Sequence, residues 1–452
     1  ISSQMSRLSS RGGIFSVIMQ FFHNPKNEGL ILNAFSVLFI VIAALYFTVK
    51  WWLSSRQMRH IVVHQDAVPS PFAAQISLSE HQNAAKYALE RYRLGRSGLM
   101  ISMIMLWVWT FGGGLGLLAK ATLSMTEHPL YFGIVLMVLF SLINGAIDLP
   151  LAYVSQFKVE AAFGFNRMTI KLWLTDMLKG AALSMLIGVP LLYAIGAFVV
   201  ALPDTWWLWA WALFVGFNLL LMWLYPTFIA PLFNQFKPLD SGDLKLRLDA
   251  LLTRCGFTSN GMFVMDGSRR SAHGNAYFTG FGRNKRIVFF DTLLKQLTEP
   301  QIEAVLAHEL GHFHHKHIIK RMLIIFPLSL AAFALLGFLA QQEWFYSGLG
   351  MSFALQPAHL TAVGLILFSL ILPIFTFIFT PLASRGSRRD EFQADAFAVA
   401  NSNGQDLIDA LVNMYQENAS FVETDALYSR FYDSHPPALI RIAQIKTLMA
   451  AA

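Results

Sequence analysis

Seven apolar stretches run through the chain, near residues 30–53, 99–119, 130–153, 178–202, 205–230, 321–340 and 359–381. Each is long enough to cross a hydrocarbon core ~30 Å thick, which takes about 20 helical residues. A bilayer offers no partner to an exposed backbone N–H or C=O, so these spans are expected to be helices. Composition agrees. Of 452 residues, 55% are hydrophobic and only 13% charged, where soluble domains carry about 25%. The expected fold is an α-helical polytopic membrane protein with about seven transmembrane helices and a small α+β domain outside the membrane.

Charge orients the spans. With seven crossings, the N-terminus and the loops near 120–129, 203–204 and 341–358 share one side, which carries only Arg7, Arg11, Lys26 and Lys120. Segments 54–98, 154–177, 231–320 and the tail after 382 hold nearly all other Lys and Arg, so that side is expected to be cytoplasmic. The net charge of +7 is thus mostly a topology signal with some attraction for anionic lipid, and nothing in it points to nucleic acid. The first apolar run is long enough to remain as a span, so no cleavable leader is expected. Asn144 and Asp148, near membrane depth, are expected to face protein or water. The single Cys255 excludes an intramolecular disulfide and a cysteine-rich zinc site.

Four parts follow: residues 1–98 (one span and a polar amphipathic segment), 99–230 (four spans), 231–320 (a soluble insert) and 321–452 (two spans and a helical tail). Only the insert has strand character, at 262–265, 276–281 and 287–290, with Gly282 to Lys285 reading as a hairpin turn. An exposed edge near Asn275 to Phe278 could take a peptide as an added strand.

The insert ends in His308-Glu309-Leu310-Gly311-His312. On a helix, positions i and i+4 lie about 40° apart around the axis and about 6 Å along it, so both imidazoles can grip one Zn²⁺. Glu309 can then take the proton of an attacking water. Thr298 and Gln301 form a capping box that would open this helix. A catalytic zinc usually has a third protein ligand, and the best candidate is Glu391, with Asp395 one turn on to accept the outward N–H of a ligand histidine. Taken alone, Glu391 and Asp395 read equally well as a solvated face beside Arg388 and Arg389. His314, His315 and His317 read as non-ligands; His315 lies about 10 Å along the axis from His308.

Together these residues resemble the integral-membrane zinc endopeptidase family that includes the type 1 CAAX prenyl proteases. The resemblance extends over Phe163 to Arg167, Tyr225 to Thr227, Pro231 to Asn234, Gly274 to Gly282, Arg286 to Leu294, Ser387 to Ala398 and Ser434 to Pro437 with Arg441. It implies one Zn²⁺ on His308, His312 and Glu391, with Glu309 as general base and Asp395 supporting a ligand histidine. His435 and Asn275 would stabilise the oxyanion, and Arg441 would support the site. The family's fold implies seven helices around a water-filled intramembrane chamber closed by the catalytic domain.

The expected activity is cleavage of peptide bonds near the C-terminus of prenylated CAAX proteins. The expected setting is a bacterial inner membrane, or the endoplasmic reticulum membrane in a eukaryote. Two other readings stay open: a broader membrane quality-control protease, and a zinc-binding transporter or channel that would not need Glu309.

Overall fold

The computed structural model describes residues 32–279, 285–351 and 355–451. Arg7, Arg11, Lys26 and most of the expected hairpin turn lie outside them. Among the described residues, six helices are long and apolar enough to span a membrane: Ala34–His64, Pro129–Glu160, Ile170–Ala201, Trp206–Phe233, His317–Leu339 and Pro357–Asn401. A seventh span arises if Leu78–Trp109 and Gly114–Met125, bent by 58°, count as one. The bend falls at Gly113, whose φ of 73° lies in the left-handed region that glycine enters without steric cost. The protein is a multi-pass integral membrane protein.

The second helix overruns its apolar stretch because a polar cap, rather than the end of the hydrophobic run, starts it. Ser77 opens the second helix with a capping box, its N–H donating to Glu80 Oε2 at 2.8 Å. That helix then continues from the amphipathic segment into the membrane without a break. Two spans carry π turns near their ends, Ser155–Glu160 and Tyr225–Ile229, a local widening that recurs at functional sites.

Spans and catalytic segments are physically continuous. The helix Glu299–His314, which carries the two motif histidines, is followed after two residues by the span His317–Leu339. The span Pro357–Thr376 passes through a 3₁₀ turn, Phe377–Phe379, into the helix Thr380–Asn401 that carries Glu391 and Asp395.

Two large apolar cores, beside a small cluster of Tyr87, Val159 and Phe165, hold the described residues together. One, inside the helical bundle, is built on Phe39, Phe132, Leu136, Phe345, Tyr346 and Leu367. The other lies under the motif helix and includes Leu248, Leu251, Phe289, Leu306, Ala307 and Ile445. The helix Ile170–Ala201 buries none of its residues, as befits an apolar face solvated by lipid. Between the helices lies a cavity of about 830 Å³. Asn144 and Asp148 both line it, and Asn144 Oδ1 accepts from Trp109 Nε1 at 3.1 Å.

The insert forms one four-stranded sheet: β1 (Phe236–Pro238), β2 (Met262–Met265), β3 (Ala276–Thr279) and β4 (Arg286–Phe290), in the order β1-β2-β4-β3. β2 and β4 run parallel; β1 and β3 pair antiparallel on the outside. The three-residue β1, too short to leave a sequence pattern, is the one strand the sequence does not disclose. β3 is an edge strand.

Candidate active site

Thr298 sets the start of the motif helix, its N–H donating to Gln301 Oε1 at 3.0 Å. Ten residues further on, His308 and His312 project toward the helix Thr380–Asn401. The two helices cross at Gly311, where an added Cβ would lie 2.8 Å from Ala394 Cα and 3.0 Å from Ala394 O. No side chain larger than hydrogen fits that crossing without parting the helices. Close approach brings Glu391 onto the histidines: His308 Nε2 stands 3.5 Å from Glu391 Oε2, and His312 Nε2 3.3 Å from Glu391 Oε1. The two Nε2 atoms are 3.3 Å apart.

These separations fit a metal. Tetrahedral bonds of ~2.1 Å hold ligand atoms ~3.4 Å from one another, and His308, His312 and Glu391 form the only such group among the described residues. Glu391 is 4% exposed, and its Oε2 is buried with no hydrogen-bond partner. A buried carboxylate oxygen is costly when it is not bonded to a donor or a cation. Two imidazoles and a carboxylate also form a donor set suited to a divalent transition metal.

The surrounding shell orients these groups. Asp395, fully buried, accepts from His308 Nδ1 at 2.8 Å. Arg441 donates to the same carboxylate through Nε at 2.9 Å and Nη2 at 2.5 Å, and its Nη1 reaches Glu391 at 3.7 Å. Burial alone would lower the His308 pKa, but the bonds to Asp395 and Glu391 raise it to about 9. For Glu391 and Asp395 burial opposes ionisation, yet the paired histidine and arginine hold both carboxyls below their ordinary values. Glu309 is half-buried, and loss of hydration raises its pKa, the direction a proton acceptor near neutral pH requires.

His435 lies at the rim. Its Nε2 is 3.4 Å from Glu391 Oε1 and its Nδ1 3.0 Å from Ser434 Oγ. Asn275, exposed at the head of β3, accepts the Ala276 N–H on its own side chain at 2.8 Å. The fold therefore gathers His308, Glu309, His312, Glu391, Asp395, His435 and Arg441 at one place, while no contact among the described residues joins the Asn275 side chain to them.

Comparison with known proteins agrees with this geometry. The family described as "CAAX prenyl protease N-terminal, five membrane helices" matches residues 57–235, and "Peptidase family M48" matches residues 238–449. A CAAX prenyl protease 1 homolog of Arabidopsis thaliana is 39% identical over 301 residues, 66% of this chain and 69% of that protein. A rice homolog is 32% identical over 89% of this chain and 95% of its own length. This chain belongs to the CAAX prenyl protease 1 group of peptidase family M48. The group membership makes it a membrane metalloendopeptidase of the zinc-dependent class. The crystal structure of S. mikatae Ste24p superposes with a TM-score of 0.86 at 29% identity, over 92% of this chain and all of that one.

Two features of this M48 site were not read from the sequence. His317 turns back onto the motif: its Nδ1 lies 3.0 Å from His312 Nδ1 and its Nε2 3.0 Å from Gln393 Oε1. With a metal on His312 Nε2, the His312 proton would sit on Nδ1 and be donated to His317. The reversal depends on Lys316, which adopts the left-handed region at φ 55°, so helical spacing could not reveal it. The second feature is His273, stacked on Phe165 at 4.2 Å and bonded to Asn418 Oδ1 at 3.1 Å. It stands two residues before Asn275, and Tyr87 reaches it from the long amphipathic helix at 3.5 Å.

Proposed function

We propose that the protein holds one zinc ion on His308, His312 and Glu391 and cleaves peptide bonds near the C-terminus of prenylated CAAX substrates, from the cytoplasmic side of its membrane. The ligand triangle, with 3.3–3.5 Å edges and a buried carboxylate oxygen that has no hydrogen-bond partner, carries this reading. Zinc bound there would polarise the scissile carbonyl and bring the pKa of a water to about 7.

The protein's own groups do the rest. Glu309 accepts the proton of the attacking water and returns it to the leaving amine. His435, at the solvent-facing rim, donates to the oxyanion that develops on the substrate, a contribution of about 10²–10³ in rate. Asn275 joins it once a substrate strand lying along β3 draws the side chain away from the Ala276 N–H. Asp395 fixes the His308 tautomer, and Arg441 keeps Asp395 charged and in place. Prenyl specificity is supported by the CAAX prenyl protease relatives and by the apolar part of the cavity between the helices.

The test is cleavage of a farnesylated CAAX peptide and its unprenylated twin by purified protein, with Glu309→Gln and a chelator as controls. Cleavage of the prenylated peptide alone, lost in both controls, is expected. Equal turnover of both peptides would shift the assignment to a broader membrane protease. Cleavage that survives Glu309→Gln would overturn the mechanism.

A further inference from the structure

The cavity between the helices carries an excess of positive charge among its lining residues. Lys50, Arg91 and Arg96 line it, and Asp148 is the one carboxylate among its lining residues. None of the three cations belongs to an ion pair among the described residues. Their partners are neutral: Lys50 Nζ donates to the Tyr46 hydroxyl at 3.0 Å, Arg91 lies over the Tyr87 ring at 5.5 Å, and Arg96 lies over Trp51 at 4.5 Å. Arg96 also donates to the Ser55 hydroxyl, while its Nε is buried without a partner. A cation that only served the headgroup belt would reach outward to lipid. Lys50 and Arg96 are half-buried and Arg91 is exposed on the wall of this open cavity, where an arriving anion meets three cations and one carboxylate.

Position suggests which anion. Tyr87 ties the cavity wall to the insert: its hydroxyl donates to Glu160 at 2.7 Å and lies 3.5 Å from His273, two residues before Asn275. Along the same helix Arg91 stands ~6 Å and Arg96 ~13 Å beyond Tyr87 at 1.5 Å per residue. A tripeptide extending past the scissile bond spans ~10 Å at ~3.3 Å per residue, a length comparable with the spread of these cations along the helix. We propose that Arg91, Arg96 and Lys50 form a subsite for the free C-terminal carboxylate of the peptide substrate, and so measure the distance from cut to chain end. The proposal rests on the CAAX reading above.

The experiment compares a farnesylated CAAX peptide bearing a free C-terminal acid with the same peptide as its C-terminal amide. Wild-type protein should favour the acid at least about tenfold in kcat/KM, the scale of a charge-assisted bond. In Arg96→Gln, Arg91→Gln and Lys50→Gln the acid-to-amide ratio should fall toward one. Each ratio is internal to one protein, so a general loss of folded enzyme cancels. If one variant loses all turnover, the remaining two report the same ratio.

Binding of both peptides to Glu309→Gln protein, followed by fluorescence anisotropy, separates this proposal from the protease reading. Acid preference without wild-type turnover would defeat catalysis and keep the subsite. A ratio of one in wild-type protein overturns the proposal. So does a ratio that the three substitutions leave unchanged. Repeating the assay in phosphatidylglycerol and in phosphatidylcholine nanodiscs tests the other anion source: loss of acid preference only in the anionic lipid would assign the cations to lipid phosphate and overturn the carboxylate assignment.

Discussion

Replacing Asp395 by Asn removes one charge at the most tightly bonded point of the site while keeping its volume. Asp395 is fully buried and accepts three contacts, from His308 Nδ1 at 2.8 Å and from Arg441 at 2.9 and 2.5 Å. The amide introduced by Asp395→Asn could still accept from His308, but its NH₂ would then face the guanidinium. Arg441, 7% exposed, would be left with Glu391 at 3.7 Å as its remaining carboxylate. Breaking a buried pair by neutralising one partner costs about 3–5 kcal/mol, and losing the group that orients a ligand histidine costs about 10–100-fold in metal affinity. The assay is competition for Zn²⁺ against a chromophoric chelator, beside the thermal midpoint of metal-free protein in detergent. Both should fall in Asp395→Asn. In a His308→Ala background the same substitution should cost metal affinity little more, because its route to the metal is already gone. Wild-type metal affinity in Asp395→Asn would refute the argument that this carboxylate sets the His308 tautomer.

Proton linkage and His317 supply the other tests. His308 has its folded pKa raised to about 9 from an ordinary 6.5, so its paired, charged form stabilises metal-free protein fully below pH 6.5 and that contribution is lost as pH rises through about 9; Zn²⁺ binding at pH 7.5 should therefore expel about one proton from this residue. Calorimetry in two buffers of different ionisation enthalpy should show that release, shrinking above pH 9.5; a release that does not change with pH would remove the assignment to His308. His317→Ala should weaken zinc binding about tenfold through the loss of the His312 Nδ1 acceptor, with partial rescue by His317→Asn, and equal affinity in all three proteins would make His317 a packing residue only.

Much of the architecture was legible because it follows from local rules. Apolar runs of span length in a chain with few charges leave the backbone no option in a bilayer but the helix. Histidines four apart on a capped helix must share a face. The cap at Thr298, the strands at 262–265 and 287–290, and the i, i+4 spacing of a second acidic pair needed no tertiary information. The reach of the helices was harder: neither the unbroken passage from Ser77 to Trp109 nor the seam joining the span Pro357–Thr376 to the Glu391 helix has a hydrophobic signature, since polar residues continue a helix as readily as apolar ones.

What the sequence determined by itself is the chemistry available: two imidazoles and a glutamate in helical register, a second acidic pair, and a membrane around them. Which groups meet was decided only in three dimensions. Gly311 matters because Ala394 packs against it, His317 because one left-handed residue turns it back on His312, and the cations of the cavity because none of them is ion-paired among the described residues. Those are contacts between residues far apart in sequence, or across a reversal of the chain, and periodicity carries no information about either. Side-chain spacing fixes what a single helix can offer; only the crossing of two helices fixes what that offer is used for.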